Sequence, residues 1–282
     1  MSDLGFKHAS ELLESVVSEL TNPPMGNPLP WWTAFTDETG GLRGGELSVL
    51  SAPTGAGKTQ LLANIACQLW EGNIPCFVAP VETGDRDFLI RMISVLERTD
   101  WNTGKAYPAD RVNKLLDKYL KAIETRPLYI STYENRVAVE DMEALLRLMA
   151  TKGVRVALLD NLNFFLKVTR SSDQLLEIDE AVRVIGNVAK QTKMHIILIC
   201  HPKKPETKDT RITSENELKG SSTIVQEAAN VFLWNRPEEN SNCHSTDRFL
   251  TIRKMRKRGI LYNKSYRFSY SGGRFEEFKG RV

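Results

Sequence analysis

The sequence predicts an α/β fold: a mostly parallel, twisted sheet with helices on both faces and antiparallel strands added at its C-terminal end. Three observations lead there. Short β-branched apolar runs alternate with longer amphipathic stretches through the middle of the chain, the pattern of a parallel sheet wrapped on both sides. The first such run passes through a glycine-containing loop into a helix, the context in which a phosphate-binding turn occurs. After Trp234 the alternation gives way to strands and turns alone.

The elements follow in order. Ala9 to Leu20 (ASELLESVVSEL) reads as an amphipathic helix with Leu12, Leu13, Val16, Val17 and Leu20 on one stripe. It is too short to be stable alone, so it packs either on its own core or on a neighbouring subunit. Thr21 to Pro30, rich in Pro and Asn, predicts an extended linker. Residues 1–30 thus form a helix and linker, and 31–282 the main domain. That domain starts with a strand at Glu46 to Ser51 and a helix at Lys58 to Trp70. A strand at Ile74 to Ala79, in an apolar run reaching Val81, precedes helices at Asp85 to Glu97 and Asp110 to Glu124. Then come a strand at Leu128 to Ser131, a helix at Val139 to Thr151 and a strand at Val154 to Asp160. A helix at Gln174 to Thr192 leads to a strand at His195 to Cys200. Arg248 to Ile252 and Tyr266 to Tyr270 predict antiparallel additions at one sheet edge.

Composition bounds the class. With 282 residues, 41% hydrophobic and 26% charged, the chain has core enough for one large domain or two small ones without covalent staples. No apolar run approaches the roughly 20 residues of a membrane span. The start, Met1-Ser2-Asp3, lacks a basic n-region and a small-residue cleavage site, which excludes a secretory signal. Cys67, Cys76, Cys200 and Cys243 form no CxxC and have no His at ligand spacing. That fits a reducing cytoplasm (a host's, for a phage-encoded chain) and argues against a disulfide framework or structural zinc. A net charge of +3 does not by itself announce a nucleic-acid partner.

The chemistry is carried by Ala52-Pro53-Thr54-Gly55-Ala56-Gly57-Lys58-Thr59, a GxxxxGK[ST] pattern except that Ala52 replaces the first glycine, where a small residue suffices. The loop from Pro53 to Gln60, through its backbone N–H groups from Thr54 onward, and the positive end of the helix would cradle phosphates. Lys58 would reach the β and γ oxygens and the Thr59 hydroxyl would hold Mg²⁺. Glu82 follows the next strand. If that strand lies beside the loop's strand, its carboxylate faces the γ-phosphate and can orient or deprotonate an attacking water. Asp160 ends the apolar run Val154 to Leu159, the Walker B pattern in which a carboxylate supports Mg²⁺.

These residues resemble a known family. Thr39-Gly40-Gly41-Leu42-Arg43-Gly44-Gly45-Glu46 resembles the start of RecA-type motor domains. Asp160-Asn161-Leu162-Asn163-Phe164-Phe165, His201-Pro202-Lys203-Lys204, the stretch Leu218 to Asn230 and Lys254-Met255-Arg256 are similar to DnaB-type replicative helicases, closest to Twinkle-like helicases and the helicase half of phage primase-helicases. The likeness runs from about Thr39 to about Tyr270. It implies a RecA-like ATPase core that translocates 5′ to 3′ on single-stranded DNA as a ring of about six subunits, using ATP or another NTP with Mg²⁺. The length then leaves one motor core with a short N-terminal helix, so priming or ring stabilisation is expected from other chains, such as a primase, polymerase or loader, or from that helix.

By this resemblance His201 senses the γ-phosphate and Arg256 is the finger completing a neighbour's nucleotide site, with Lys254 beside it. In a strand, residues two apart point the same way, so both can reach that site. Lys257 and Arg258 follow directly and compete with Arg256 for the finger role. Two loops at the carboxyl edge of the sheet are candidates to grip DNA phosphates. The first carries Lys167, Arg170, Ser171 and Ser172. The second carries Lys203, Lys204, Lys208 and Arg211, together with Glu206, Asp209, Glu215 and Glu217. The acid-free cluster Arg253, Lys254, Arg256, Lys257, Arg258 and Lys264 points to a polyanion as well. Two rival functions remain at this level: a RecA/RadA-like recombination ATPase forming filaments, and an ATP-switched helicase loader without motor activity.

Overall fold

The structure, a computed structural model, describes residues 8–133, 137–165, 171–202, 211–212, 214–218, 221–238, 241–258 and 260–278. A 3₁₀ turn (Ala9–Leu12) runs into α1 (Leu13–Thr21), followed by α2 (Thr33–Thr39), β1 (Leu47–Ser51), α3 (Lys58–Glu71) and β2 (Cys76–Pro80). Next come α4 (Asp85–Glu97), α5 (Ala109–Thr125), β3 (Leu128–Ile130), α6 (Val139–Thr151) and β4 (Val156–Asp160). The chain continues through α7 (Ser171–Thr192), β5 (His195–Cys200), α8 (Ser221–Glu227), β6 (Asn230–Asn235), β7 (Arg248–Met255), β8 (Ile260–Ser271) and β9 (Arg274–Glu277). Strands start slightly later than the apolar runs suggest. Pro75 has no N–H to give a ladder, and Val154 N–H still bonds the end of α6 through Met149 O.

Among the described residues nine strands form one sheet, in the order β3-β2-β4-β5-β1-β6-β7-β8-β9. The first six in that order are parallel, and β7, β8 and β9 join antiparallel. Strands β1, β4 and β5 are buried along their whole length, as a parallel sheet covered on both faces requires. Alternating side chains feed two cores. Leu50 meets Leu61, Leu62 and Leu69 of α3, together with Trp32 and Trp234. On the other face Val49, Leu159 and Leu198 meet Met142 and Leu146 of α6 and Ile178 and Ile185 of α7.

The C-terminal hairpin is tied down by side chains far away in sequence. Its two-residue turn, Gly272-Gly273, has φ of +54° and +85°, a conformation open to glycine that matches the twist of the strands it joins. Trp32 Nε1 donates to Phe275 O at 2.9 Å and Phe275 N to Asn64 Oδ1 at 2.8 Å. The Glu277 carboxylate accepts from the N–H groups of Ala34 and Phe35, capping α2 from the far end of the chain.

The predicted N-terminal helix forms, and none of its residues is buried. Its apolar stripe is 43% exposed at Leu12 and 79% at Leu20. The stretch Thr21 to Pro30 is extended only in part as a free linker. Gly26 donates to Gly40 O, Asn27 and Leu42 exchange backbone bonds, and Leu29 is 1% exposed within the core.

Candidate phosphate-loop site

The loop after β1 combines backbone conformation with an open helix end. Gly55 and Gly57 have φ of +72° and +90°, and left-handed residues alternating with ordinary ones make a concave nest of N–H groups. No side chain caps α3, so its first N–H groups stay available to an anion. Pro53 and Ala56 are buried, Thr54 and Gly55 exposed. Lys58 is 8% exposed and its Nζ donates to Ala52 O at 3.3 Å and Pro53 O at 3.5 Å. Burial pulls its pKa below the usual lysine value, against the opposing charges of Glu82 and Asp160. The Gln60 side chain turns away to Gly273 O (2.6 Å) and accepts from Arg91 Nη1 at 3.4 Å, which leaves its backbone for the loop.

The strand order gathers the acidic residues. β2, β4, β5 and β1 lie side by side, and their carboxyl ends carry Glu82, Asp160, His201 and the loop. The expectation that Glu82's strand adjoins the loop's strand is wrong: β4 and β5 stand between, because the crossover through α3 skips two positions. Glu82 nevertheless acts electrostatically on both Lys58 and Asp160. Asp160 is 0% exposed, and its Oδ2 accepts from Thr59 Oγ1 at 3.0 Å. Its Oδ1 is buried without a partner. Burial above all, and then the Glu82 charge, push its pKa up to about 6, with Thr59, Lys58 and Arg91 opposing.

One residue that sequence reasoning left without a role joins the others. Asn161 is 1% exposed, and its Oδ1 accepts from Asn163 N at 3.0 Å, which fixes the amide's orientation. Its Nδ2 donates to Glu82 Oε2 and stands 2.9 Å from His201 Nε2. In this arrangement the ring nitrogen accepts. His201 Nε2 lies 3.7 Å from Glu82 Oε2, so the amide bridges the two. Its position directly after Asp160 was the available signal. Arginines outside the motif also touch the loop: Arg236 Nη2 donates to Gly55 O at 2.7 Å, and Arg248 Nε to Ala56 O at 2.8 Å.

Lys254 and Arg256 are not at this edge. The antiparallel register pairs Val231 with Lys254 and Asn235 with Phe249, which places both cations at the amino ends of the parallel strands. Six-residue β6 separates the two edges by about 20 Å at roughly 3.3 Å per residue. Arg256 lies in a 3₁₀ turn rather than the strand, so the two-apart rule does not apply to it. Both side chains still converge on the end of α8: Lys254 Nζ donates to the Val225 and Ala228 carbonyls, Arg256 Nη2 to that of Gln226. The acid-free cluster acquires carboxylates from elsewhere in the fold. Arg253 pairs with Glu215, Lys257 with Glu19 and Lys264 with Glu38. Charge counted along the sequence missed these partners because they come from other elements.

Of the proposed DNA contacts, Lys167, Arg170, Lys203, Lys204 and Lys208 lie outside the described residues, as do the side chains of Ser171, Ser172 and Arg258. Arg211 is described and pairs with Glu238. No helix among the described residues is long and apolar enough to cross a membrane.

Comparison with known proteins gives a consistent picture. A sequence model described as the DnaB-like helicase C terminal domain matches residues 32–277. The replicative DNA helicase DnaB of Leifsonia xyli subsp. xyli (strain CTCB07) is 23% identical over 254 residues, 84% of this chain and 52% of that protein. The DNA helicase/primase of Enterobacteria phage T3 is 27% identical over 218 residues, 73% of this chain and 38% of that protein. The chain therefore spans about half the length of these relatives, or less. Among solved structures, the ATPase domain of G40P superposes with a TM-score of 0.81 over 97% of this chain and 100% of its own, at 16% identity. A DnaB-like replicative helicase, solved in a study of its interactions with primase, gives 0.77 over 98% of this chain and 68% of its own, also at 16%. Both show the same fold.

Proposed function

This chain belongs to the DnaB-like helicase C-terminal domain family, and from that premise we propose that it is the ATP-hydrolysing motor of a replicative DNA helicase. On this reading it moves 5′ to 3′ on single-stranded DNA as a ring or open helical oligomer, with nucleotide bound between subunits. The observation that carries the proposal is the Glu82–Asn161–His201 bridge set beside the Thr59–Asp160 pair, with Arg256 on the opposite edge of the same sheet. A binding switch needs only the loop. A motor needs a base for water, a group that reports the phosphate, and a cation delivered from a neighbour.

In the proposed chemistry the nest and Lys58 bind the triphosphate. Glu82 orients the attacking water and takes its proton. Asn161 holds that carboxylate against His201, so a change at the phosphate reaches the strand end that leads into the second basic loop. The family implies Mg²⁺, and the residues fit it: the unpartnered Asp160 Oδ1 and the Thr59 hydroxyl offer oxygen donors only, as a hard divalent cation requires. When bound, the ion neutralises phosphate charge. Lys254 and Arg256 would complete the site of an adjacent copy, and the basic loops would hold the DNA backbone.

Self-association has its own support. A groove of about 390 Å³ between α4 and α5 is lined by Leu89, Ile93, Trp101, Leu116 and Leu120. Leu116 and Leu120 are 58% and 61% exposed. The exposed stripe of α1 is the matching surface on a second copy. The deciding experiment for the whole reading is steady-state ATPase with and without single-stranded DNA. Wild type should be stimulated by DNA and Lys58→Ala should be inactive; a Lys58→Ala chain that keeps DNA-stimulated hydrolysis refutes the site.

A further inference from the structure

We infer that Trp234 and Arg248 are positioning residues for the phosphate loop, holding the Ala56–Gly57 peptide so that its N–H faces the bound phosphates. The inference rests on the proposed reading of the loop as a nucleoside triphosphate site. Neither residue belongs to the loop motif; they come from β6 and the start of β7.

Ala56 is buried at 0% exposure. Its carbonyl oxygen accepts two hydrogen bonds, from Trp234 Nε1 at 3.0 Å and from Arg248 Nε at 2.8 Å. In a trans peptide the C=O and the following N–H point in opposite directions, so anchoring the Ala56 oxygen fixes where the Gly57 N–H points. The need for an anchor is local. Gly57 sits at φ +90°, and a peptide next to glycine turns over more readily than any other. Turned over, it would present a carbonyl dipole to the phosphates in place of a donor.

Both donors are held from behind. Trp234 is 0% exposed and packs edge-on against Phe275 at 4.9 Å and 80°. Arg248 Nη1 donates to Ser245 O at 3.1 Å and Asp247 O at 2.6 Å, so the guanidinium spans the loop and the turn before β7. The neighbouring carbonyls are occupied as well: Gly55 O by Arg236, and Ala52 O and Pro53 O by Lys58. Lys58 would be drawn off by nucleotide; the Ala56 anchors would not.

Two donors on one oxygen imply a specific coupling. Losing either leaves the carbonyl held, whereas losing both frees it. The test uses the full chain, a fluorescent ATP analogue for affinity and steady-state ATPase for kcat and KM, with thermal melting to confirm folding. Trp234→Phe and Arg248→Ala should each weaken binding about fivefold, and the double variant roughly a hundredfold, more than the product of the singles. KM should rise along with affinity loss. Arg248→Gln keeps an N–H donor at the Nε position and removes the charge, and it should bind within about twofold of wild type. A multiplicative double variant, or Arg248→Gln as weak as Arg248→Ala, overturns the inference, since plain charge or packing effects predict those results. If Trp234→Phe does not fold, the Gln and Ala comparison decides alone. Lys58→Ala is the separate control: unchanged affinity there would remove the loop reading itself and the inference with it.

Discussion

Asp160 gives the most quantitative prediction, because its burial sets a sign that is unusual for a carboxylate. Its pKa is raised from the usual 3.8 to about 6, so the folded protein binds this proton more tightly than the unfolded chain does. Stability from this group is therefore full below pH 4 and is lost as pH rises through 6. At 1.36 kcal/mol per pKa unit the loss is about 3 kcal/mol by pH 8. Asp160→Asn cannot ionise and should lack this slope. The Asn carbonyl can still accept from Thr59, but its buried amide has no acceptor, since Oδ1 has no partner. That penalty, about 1–3 kcal/mol, does not depend on pH, so the slope and not the absolute stability is the readout.

The assay is urea unfolding of both proteins from pH 4 to 8 without nucleotide. Subtracting the two curves cancels the titrating groups that do not interact with Asp160. The stability of Asp160→Asn relative to wild type should climb by about 2–3 kcal/mol between pH 4 and 8, most of it between 4 and 6 with its midpoint near 5, and level off above 6. Mg²⁺ with a non-hydrolysable nucleotide should flatten the difference, because a cation beside Oδ1 favours the ionised form. A flat curve without ligand, or one that falls with pH, would refute the argument, for it would mean that Lys58 and Thr59 outweigh burial.

Other outcomes follow from the same geometry. His195 is buried between Ser48 Oγ (3.0 Å) and Arg43 O (2.7 Å), and burial lowers its pKa to about 4. Its contribution is thus intact above pH 6.5 and lost as pH falls towards 4, by about 3 kcal/mol, and His195→Gln should remove that acid limb in urea titrations. Asn161→Leu releases Glu82 from His201 and should lower kcat about tenfold or more while KM for ATP stays within twofold, measured by steady-state ATPase. Arg256→Ala mixed with wild type should inhibit more than its share, because each mutant protomer disables a neighbour; inhibition proportional to dose would place the finger elsewhere. Val17→Asp on α1 and Leu120→Asp in the groove should each shift the chain towards monomer in sedimentation without lowering the melting temperature, since both positions are at least 60% exposed.

The fold was legible because its signals are local. Continuous apolar runs such as Ile196 to Ile199 mark strands buried on both faces, and each strand-to-helix alternation forces a parallel crossover. The loop and the two carboxylates were legible for the same reason, since each sits at the end of a recognisable run. What could not be read depends on contacts between distant elements. Strand order is one: nothing in the sequence says that β4 and β5 separate Glu82 from the loop. Asn161 is another, for its role exists only where three strand ends meet. The charge cluster near Arg256 misled because Glu19, Glu38 and Glu215 lie far from it in sequence and beside it in space.

The same register that separates the two edges constrains how copies assemble. With Arg256 in the proposed finger role, a chain whose loop and Arg256 lie about 20 Å apart on opposite edges would not complete its own site. A contact that sets one copy's Arg256 against another copy's loop joins unlike edges, and repeated head-to-tail such contacts close into rings or wind into helices. Glu19 pairs with Lys257 at 3.4 Å, so the exposed helix leaves the molecule on the Arg256 edge. The groove between α4 and α5 is lined by Trp70 at the end of α3, Leu96 at the end of α4 and Leu128 at the start of β3, so it lies towards the amino ends of the parallel strands rather than at the loop edge. A helix-to-groove contact and an Arg256-to-loop contact would therefore use different edges of the receiving copy, so Val17→Asp and Arg256→Ala test them separately.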